Sequence, residues 1–363
     1  MEDKFTNAAL KEAEECEVSE VYFRGRQRIE GITIDHKSSR DLDDGITLHR
    51  SDDGYLLRIS IADPAAVIEP FSGMFNSAFE RTATRYLSYK TMPMLPRAVS
   101  EKKLSLQPDD PKPAITFEIE LSDTLSITRF DIRKSLFYNR RRMDFEEFDN
   151  IIDTENDDPD RELFLELWNM GKALLNMRRE NGALAIYDIT KGFYTTEEGN
   201  IVRISRDYAH KSNIVIQELM ILANTATARF FANMGIPLLY RNHTARQTIP
   251  SREELMSQFN TALLSPELLE SFMERTHFWF DKASYGVEIK GHYGLNEAVY
   301  THVTSPLRRF PDMLNHYQIH NFLSDENYSF STKELQEYAV KINERLNHIR
   351  EEKDQFHRMV RKE

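Results

Sequence analysis

Between Ile32 and Gly45 the chain reads Ile-Thr-Ile-Asp-His-Lys-Ser-Ser-Arg-Asp-Leu-Asp-Asp-Gly, which places four carboxylates, Asp35, Asp41, Asp43 and Asp44, within ten residues. The alternation of apolar and polar residues ahead of Asp35 predicts a strand that ends there. Asp41 and Asp43 are two apart, so an extended backbone sets them on one face. A turn at Ser38-Ser39 can fold Asp35 back toward them. Carboxylates crowded in this way repel one another unless a cation neutralises them. A set of hard oxygen ligands selects magnesium or manganese over zinc. The same residues also suit a plain acidic surface turn. They do not suit an EF-hand loop, because the glycine falls one position early, no glutamate stands at the twelfth place and both flanks read as strands.

A second constellation lies between Gly291 and His316 and includes Tyr300, His302, Thr304-Ser305-Pro306, Arg308-Arg309 and Asp312. Thr304-Ser305-Pro306 can open a helix, with a hydroxyl as cap and proline in the first turn. Amides at such a helix start, with Arg308 and Arg309 beside them, would bind a phosphate. His292, His302 and His316 follow no zinc-ligand spacing and read as hydrogen-bonded structural histidines.

Both segments resemble signatures of the ribonuclease II (RNB) family. The first is similar to that family's Thr-Ile-Asp-x5-Asp-x-Asp-Asp motif, with all four acids present. The second is similar to its Tyr-x-His-x-Thr-Ser-Pro-x-Arg-Arg-x-x-Asp motif. Ile61-Ala62-Asp63-Pro64, Pro93-Met94-Leu95-Pro96 through Ser105-Leu106, and Gln217-Glu218 through Asn224 also match, in the family's order. The similarity runs from about Gly31 to about Glu351.

The resemblance implies a hydrolase that shortens single-stranded RNA from its 3′ end and releases nucleoside 5′-monophosphates. By the same resemblance Asp35, Asp41, Asp43 and Asp44 hold one or two Mg²⁺ ions, with Mn²⁺ as a substitute. Asp43 is the acid whose loss catalysis should feel most, and Arg308 steadies the scissile phosphate. Glu218 resembles an acid that contacts ribose, Tyr86 a tyrosine that borders the base-stacking channel, and Glu351 a glutamate near the active centre. Thr304, Ser305 and Arg309 join the RNA contacts. Where the family commonly has an aromatic after Gly182-Ala183-Leu184, this chain has Ile186, so the adjacent Tyr187 is assigned to clamp the terminal bases. Two rival readings are an RNA-binding pseudonuclease, which the retained acids disfavour, and a subunit whose RNA-gripping domains come from a protein partner.

The elements that must position these residues can be read in outline. Ile32, Ile34, Ile46, Leu48, Leu56, Ile59 and Ile61 suggest strands broken by Asp-rich turns, and residues 113–135 suggest more strand. Residues 1–20 read as a short charged helix. Arg161–Glu180 reads as an amphipathic helix stopped at Asn181-Gly182. Asn213–Met234 reads as an apolar core helix stopped at Gly235. Ser331 with Glu334 forms a capping box that opens a long final helix reaching past Glu351. Strands first and helices later give an α+β class, which the resemblance refines to a mixed β-sheet core surrounded by helices. Residues 1–30 form an extension and 31–363 one catalytic domain, without the family's cold-shock barrels or C-terminal oligonucleotide-binding barrel.

Composition narrows the class. The 363 residues are 40% hydrophobic and 29% charged, as in folded globular proteins. The net charge is −12, and the ten acids and one base of residues 143–162 supply −9 of it. That segment reads as a solvated loop or a docking site. Residues 81–103 carry six bases and one acid, and residues 133–142 five bases and no acid, which together read as solvated surface or as a basic path for RNA. One cysteine, Cys16, permits no intrachain disulfide and suits the cytoplasm. Neither a secretory signal nor a membrane span is expected.

Overall fold

A computed structural model describes residues 4–17, 24–86, 91–108, 110–184, 193–195, 201–203, 210–262, 264–324 and 329–360. Its centre is built from five strands, β1 (Gln27–Asp35), β2 (Asp44–Ser51), β3 (Gly54–Ala62), β4 (Lys112–Ser122) and β5 (Ile127–Asp144). Consecutive strands pair antiparallel, and β5 returns to pair parallel with β1, from Gln27 opposite Ser135 to Asp35 opposite Asp144. The expected mixed sheet is therefore closed into a barrel. Period-two alternation explains which face of it is apolar. Ile32, Ile34, Ile46, Leu57, Ile59, Ile61, Ile115, Phe117 and Ile119 share one face and are buried in one cluster with the helices that cover the sheet.

β1 and β2 share only one paired position, Ile32 with Ile46. The ring of Phe137 fills the space that two glycines leave beside this junction. A Cβ at Gly45 would lie 2.2 Å from Cζ of Phe137, and one at Gly31 would lie 2.8 Å from its Cε2. Overpacking of this kind costs ~1–3 kcal/mol. Gly45→Ala should therefore lower the urea midpoint, and Phe137→Leu in the same chain should restore part of the loss. An unchanged midpoint in the single variant would show that the ring moves aside freely.

Helices cover the barrel. They are α1 (Asn7–Glu15), α2 (Gly73–Arg81), α3 (Phe145–Asp153), α4 (Arg161–Glu180), α5 (Lys211–Met234), α6 (Arg252–Ala262), α7 (Pro266–Trp279), α8 (Phe310–Ser324) and α9 (Thr332–Val360). The expected terminators act as read. Gly182 (φ 87°) follows α4 and Gly235 (φ 69°) ends α5 in left-handed backbone. Ser331 and Glu334 exchange the two capping-box hydrogen bonds at 2.9 and 3.3 Å. By length and hydropathy α5 could cross a membrane, yet 67% of its apolar window is buried inside, which identifies a core helix. The extension is tied in as well, because the Glu12 carboxylate of α1 accepts from the amides of Gly73 and Met74 and so caps α2.

The acidic segment 143–162 does not stand apart as a solvated loop. Arg141 is gripped by Asp158 (2.8 Å), Glu147 (2.8 Å) and Asp160 (3.2 Å), and Arg140 pairs with Asp160 at 2.7 Å. Arg133 pairs with Glu118. Much of the basic stretch 133–142 is thus neutralised within the protein, which corrects the reading of that stretch as a free path for RNA.

α8 is pinned to the barrel by a fully buried carboxylate. Asp63 at the end of β3 accepts from His320 Nε2 at 2.7 Å, with His316 Nδ1 4.0 Å away. Burial alone would raise the pKa of Asp63, but His320 and His316 overcome it and hold the carboxyl well below the usual carboxylate range. A depressed folded pKa gives stability that is fully present above the unfolded value near ~3.9 and is lost as pH falls further. Asp63→Asn should be less stable than the parent at pH 7, and the difference should shrink as urea titrations move below pH ~4. A difference that stays constant with pH would rule out the ionised carboxylate as its source.

Candidate active site

The four acids sit where β1 ends and β2 begins. Asp35 is the last residue of β1 and Asp44 the first of β2. The loop between them turns at His36–Ser39, where the Ser39 amide reaches the His36 carbonyl at 2.8 Å. Fully buried Leu42 pins the far side of this loop. Its N–H donates to Ser105 Oγ (2.9 Å) and its carbonyl accepts from the Leu106 amide (3.0 Å). That strap fixes the flanking residues Asp41 and Asp43.

The second constellation closes on Asp43 from 265 residues away. The Leu307 amide donates to Asp43 Oδ1 at 2.9 Å and Arg308 Nε donates to Oδ2 at 3.1 Å. Arg308 is braced by Ser305 Oγ at 2.8 Å and keeps 39% of its side chain exposed. Its backbone is held in turn by residues 82–84. The Thr84 amide donates to the Arg308 carbonyl and the Phe310 amide to the Thr82 carbonyl, both at 2.9 Å. Thr82, a buried β-branched residue, is held at φ 64° to make this possible.

This clasp explains a correction. The Thr304-Ser305-Pro306 segment does not open a helix, and α8 begins at Phe310. The Ser305 amide is taken by Asp312 Oδ1 (2.9 Å) and the Leu307 amide by Asp43. The amides expected to meet a phosphate therefore serve the protein's own carboxylates, which leaves recognition of an anion to guanidiniums, Arg308 beside the acids first among them.

Electrostatics set the site apart. Burial, reinforced by Asp44 and Asp43, pushes Asp35 well above the usual carboxylate range. Burial raises Asp43 to about 8 despite Arg308, and Asp44 to about 6. Asp35 Oδ2 and Asp44 Oδ2 are buried and accept no hydrogen bond. Two buried carboxyl oxygens without donors, each raising the cost of ionising the other, suit a cation that would let both ionise. By contrast, Asp41 accepts from the Tyr86 hydroxyl at 3.2 Å and Asp43 is taken by Arg308. Among the described residues no three carboxylate, imidazole or thiolate groups converge tightly enough to form a cage. Asp35 and Asp44 are thus the pair whose surroundings fit a metal, and magnesium commonly binds through one or two carboxylates while keeping several waters.

The other expected contacts divide. Tyr86 stands beside the acids with 57% of its surface exposed. Thr304 and Ser305 are buried and act as braces, Thr304 accepting from Asn224 Nδ2 at 3.3 Å. Arg309 pairs with Asp312 at 2.6 Å. Glu218 is buried, both its oxygens accepting from Arg178 at 3.1 and 2.7 Å, and the pair lines a cleft together with Asn181 and Asn296. Glu351 is exposed on α9. Tyr187 and Ile186 lie outside the described residues. The histidines are structural, as read: His316 Nε2 bonds the Val303 carbonyl (2.8 Å), His302 Nδ1 the Tyr285 hydroxyl (2.7 Å), and His292 accepts from the Leu295 amide (3.3 Å). Ser105, Leu307 and Asn224 serve the site without having been singled out. Their motifs were visible, but their role depends on main-chain contacts over long sequence separations.

Comparison with known proteins is consistent with this arrangement. An RNB domain model matches residues 27–325. Ribonuclease R of Chlamydia pneumoniae is 28% identical over 320 residues, covering 81% of this chain and 46% of that protein. The chain spans about half the length of the curated relatives it matches. Mycoplasma genitalium RNase R, solved in complex with ribose methylated single-stranded RNA, superposes with a TM-score of 0.83 at 21% identity, over 95% of this chain and 60% of that one. Yeast Ssd1, described as a pseudonuclease, has the same fold at a TM-score of 0.72 and 16% identity, over 90% and 44% of the two chains.

Proposed function

Since this chain belongs to the RNB domain family, we propose that it is a hydrolytic 3′-to-5′ exoribonuclease acting on single-stranded RNA and releasing nucleoside 5′-monophosphates. One observation carries the reading beyond the family. Two buried carboxylate oxygens without donors, on Asp35 and Asp44, stand beside the Asp43–Arg308 pair. Carboxylates buried in this way are costly to ionise unless a cation neutralises them.

Asp35 and Asp44, with Asp41 and Asp43 alongside, would hold Mg²⁺ or Mn²⁺, which supplies a water of lowered pKa and charge compensation for the leaving 3′-oxygen. The protein's own groups do the rest. Arg308, fixed by Asp43 and Ser305, offers a guanidinium to the scissile phosphate, where charge grows in the transition state. The Ser105–Leu42 strap holds the acids in place, so little reorganisation is needed during the reaction. The exposed ring of Tyr86 offers a base a stacking surface at the edge of the acids. We assign the enzyme to the cytoplasm, in keeping with its single cysteine, and to RNA 3′ ends as its partners. Further RNA-binding domains supplied by a protein partner would extend its grip.

The test is incubation of the purified chain with 5′-labelled single-stranded RNA, with Mg²⁺ and with EDTA. A ladder of products shortened one nucleotide at a time, with nucleoside 5′-monophosphates released only in Mg²⁺, is expected. RNA that is bound but never shortened would place this chain functionally with Ssd1 and overturn the reading.

A further inference from the structure

A group of cations beside the catalytic arginine is left unbalanced by the fold. Tyr285 lies in the three-residue strand Ser284–Gly286, opposite Arg241 of the strand Tyr240–Asn242. The Arg241 guanidinium carbon stands 4.6 Å over the Tyr285 ring. Asn343 of α9 clasps the Tyr285 backbone through two 2.8 Å hydrogen bonds. Arg350 is seven residues further along α9, two turns on and on the same side. The Tyr285 hydroxyl reaches His302, two residues before the Thr304-Ser305-Pro306 turn that leads to Arg308 and Arg309. Arg241 thus lies on the Tyr285 ring, and the charges of Arg309 and Arg350 are near enough to act on its hydroxyl as well.

Among the described residues the carboxylate that pairs with them is Asp312, bound to Arg309, and Arg350 Nη1 donates to the neutral Asn347 Oδ1 at 3.2 Å. Among the described residues Arg241 and Arg350 pair with no acid, and both are half-buried. Arg241 Nη1 and Arg309 Nε are buried without an acceptor. Burial and the neighbouring Arg241 push the pKa of Arg350 down, as expected of two cations held close together. His302, held well below its ordinary range by burial and by Arg309 and Arg241, is neutral. A surplus of buried positive charge is costly unless an anion completes it. Planar guanidiniums match phosphate oxygens in particular.

We infer that Arg241, Arg309 and Arg350 form a second phosphate site, adjoining Arg308, that takes a phosphate of single-stranded RNA other than the one being cleaved. The inference rests on the exoribonuclease reading, because the strand that delivers a phosphate to Arg308 carries the next one past Arg309.

The test measures binding of a short labelled oligouridylate to the full chain in EDTA, over a range of salt. Each lost phosphate contact should reduce the slope of log K against log salt by about 0.7. R350Q and R241Q should each show that reduction, while R50Q, which removes the exposed partner of Asp123 on the barrel, should not. R241Q also loses its stacking on Tyr285, so R350Q decides the matter if R241Q does not fold. A parallel titration with UMP separates the sources. Weakened binding of RNA alone assigns the site to an internal phosphodiester, and weakened binding of both assigns it to a terminal phosphate. Unchanged slopes in a wild type that binds RNA would overturn this site and leave the function standing. A wild type that binds no RNA would overturn both.

Discussion

Asp43→Asn should lose at least ~10²-fold in turnover, the scale of removing one preorganised electrostatic group, while RNA affinity changes little. Asparagine keeps an oxygen that can accept from Leu307 or Arg308 and loses only the charge. Affinity for RNA is spread over many contacts and so survives. The variant also separates catalysis from folding. Burial raises the Asp43 pKa to about 8, so at neutral pH the metal-free fold holds this carboxyl protonated, at a cost in stability. The metal-free variant should therefore be as stable as the parent or more so in urea. A rate above about a tenth of wild type would remove Asp43 from the catalytic group, given losses of ~10²-fold for such residues.

Chelation should abolish hydrolysis, and added Mg²⁺ or Mn²⁺ should restore it. The surroundings of Asp35 and Asp44 allow a second readout that needs no RNA. Two buried oxygens without donors repel each other until a cation arrives, so metal should stabilise the folded chain by mass action. The thermal midpoint should rise with added Mn²⁺ in the wild type. It should not rise in a chain carrying both Asp35→Asn and Asp44→Asn. Restoration of activity by Zn²⁺ alone would contradict a site built of oxygen ligands.

Much of this was legible in the sequence, for physical reasons that differ by element. Helix ends are local events, so Gly182, Gly235 and the Ser331–Glu334 box could be read directly. The strands showed their period, but closure did not. It depends on β5 running on to Asp144 and pairing in parallel with β1, more than 100 residues earlier. The acids were plain in their motif. Their unequal environments were not, because what separates Asp43 from Asp44 is a guanidinium and an amide supplied from Arg308 and Leu307. The helix expected at Pro306 failed for the same reason, since Asp312 and Asp43 claimed its amides. The ion pairs that neutralise the basic stretch 133–142 were not legible, because charge counted along a chain ignores what folds against it.

The Asp43–Arg308 contact joins residues 265 apart, and this separation bears on how the protein is made. A ribosome adding about 5–20 residues per second needs roughly 15–50 s to pass from the first partner to the second. Throughout that interval the growing chain carries its acidic residues but not the arginine that completes the centre. The parallel seam between β1 and β5 also waits for residues beyond 127. Until Arg308 has emerged, the proposed centre stays incomplete on the ribosome, with its acids made and its guanidinium still missing.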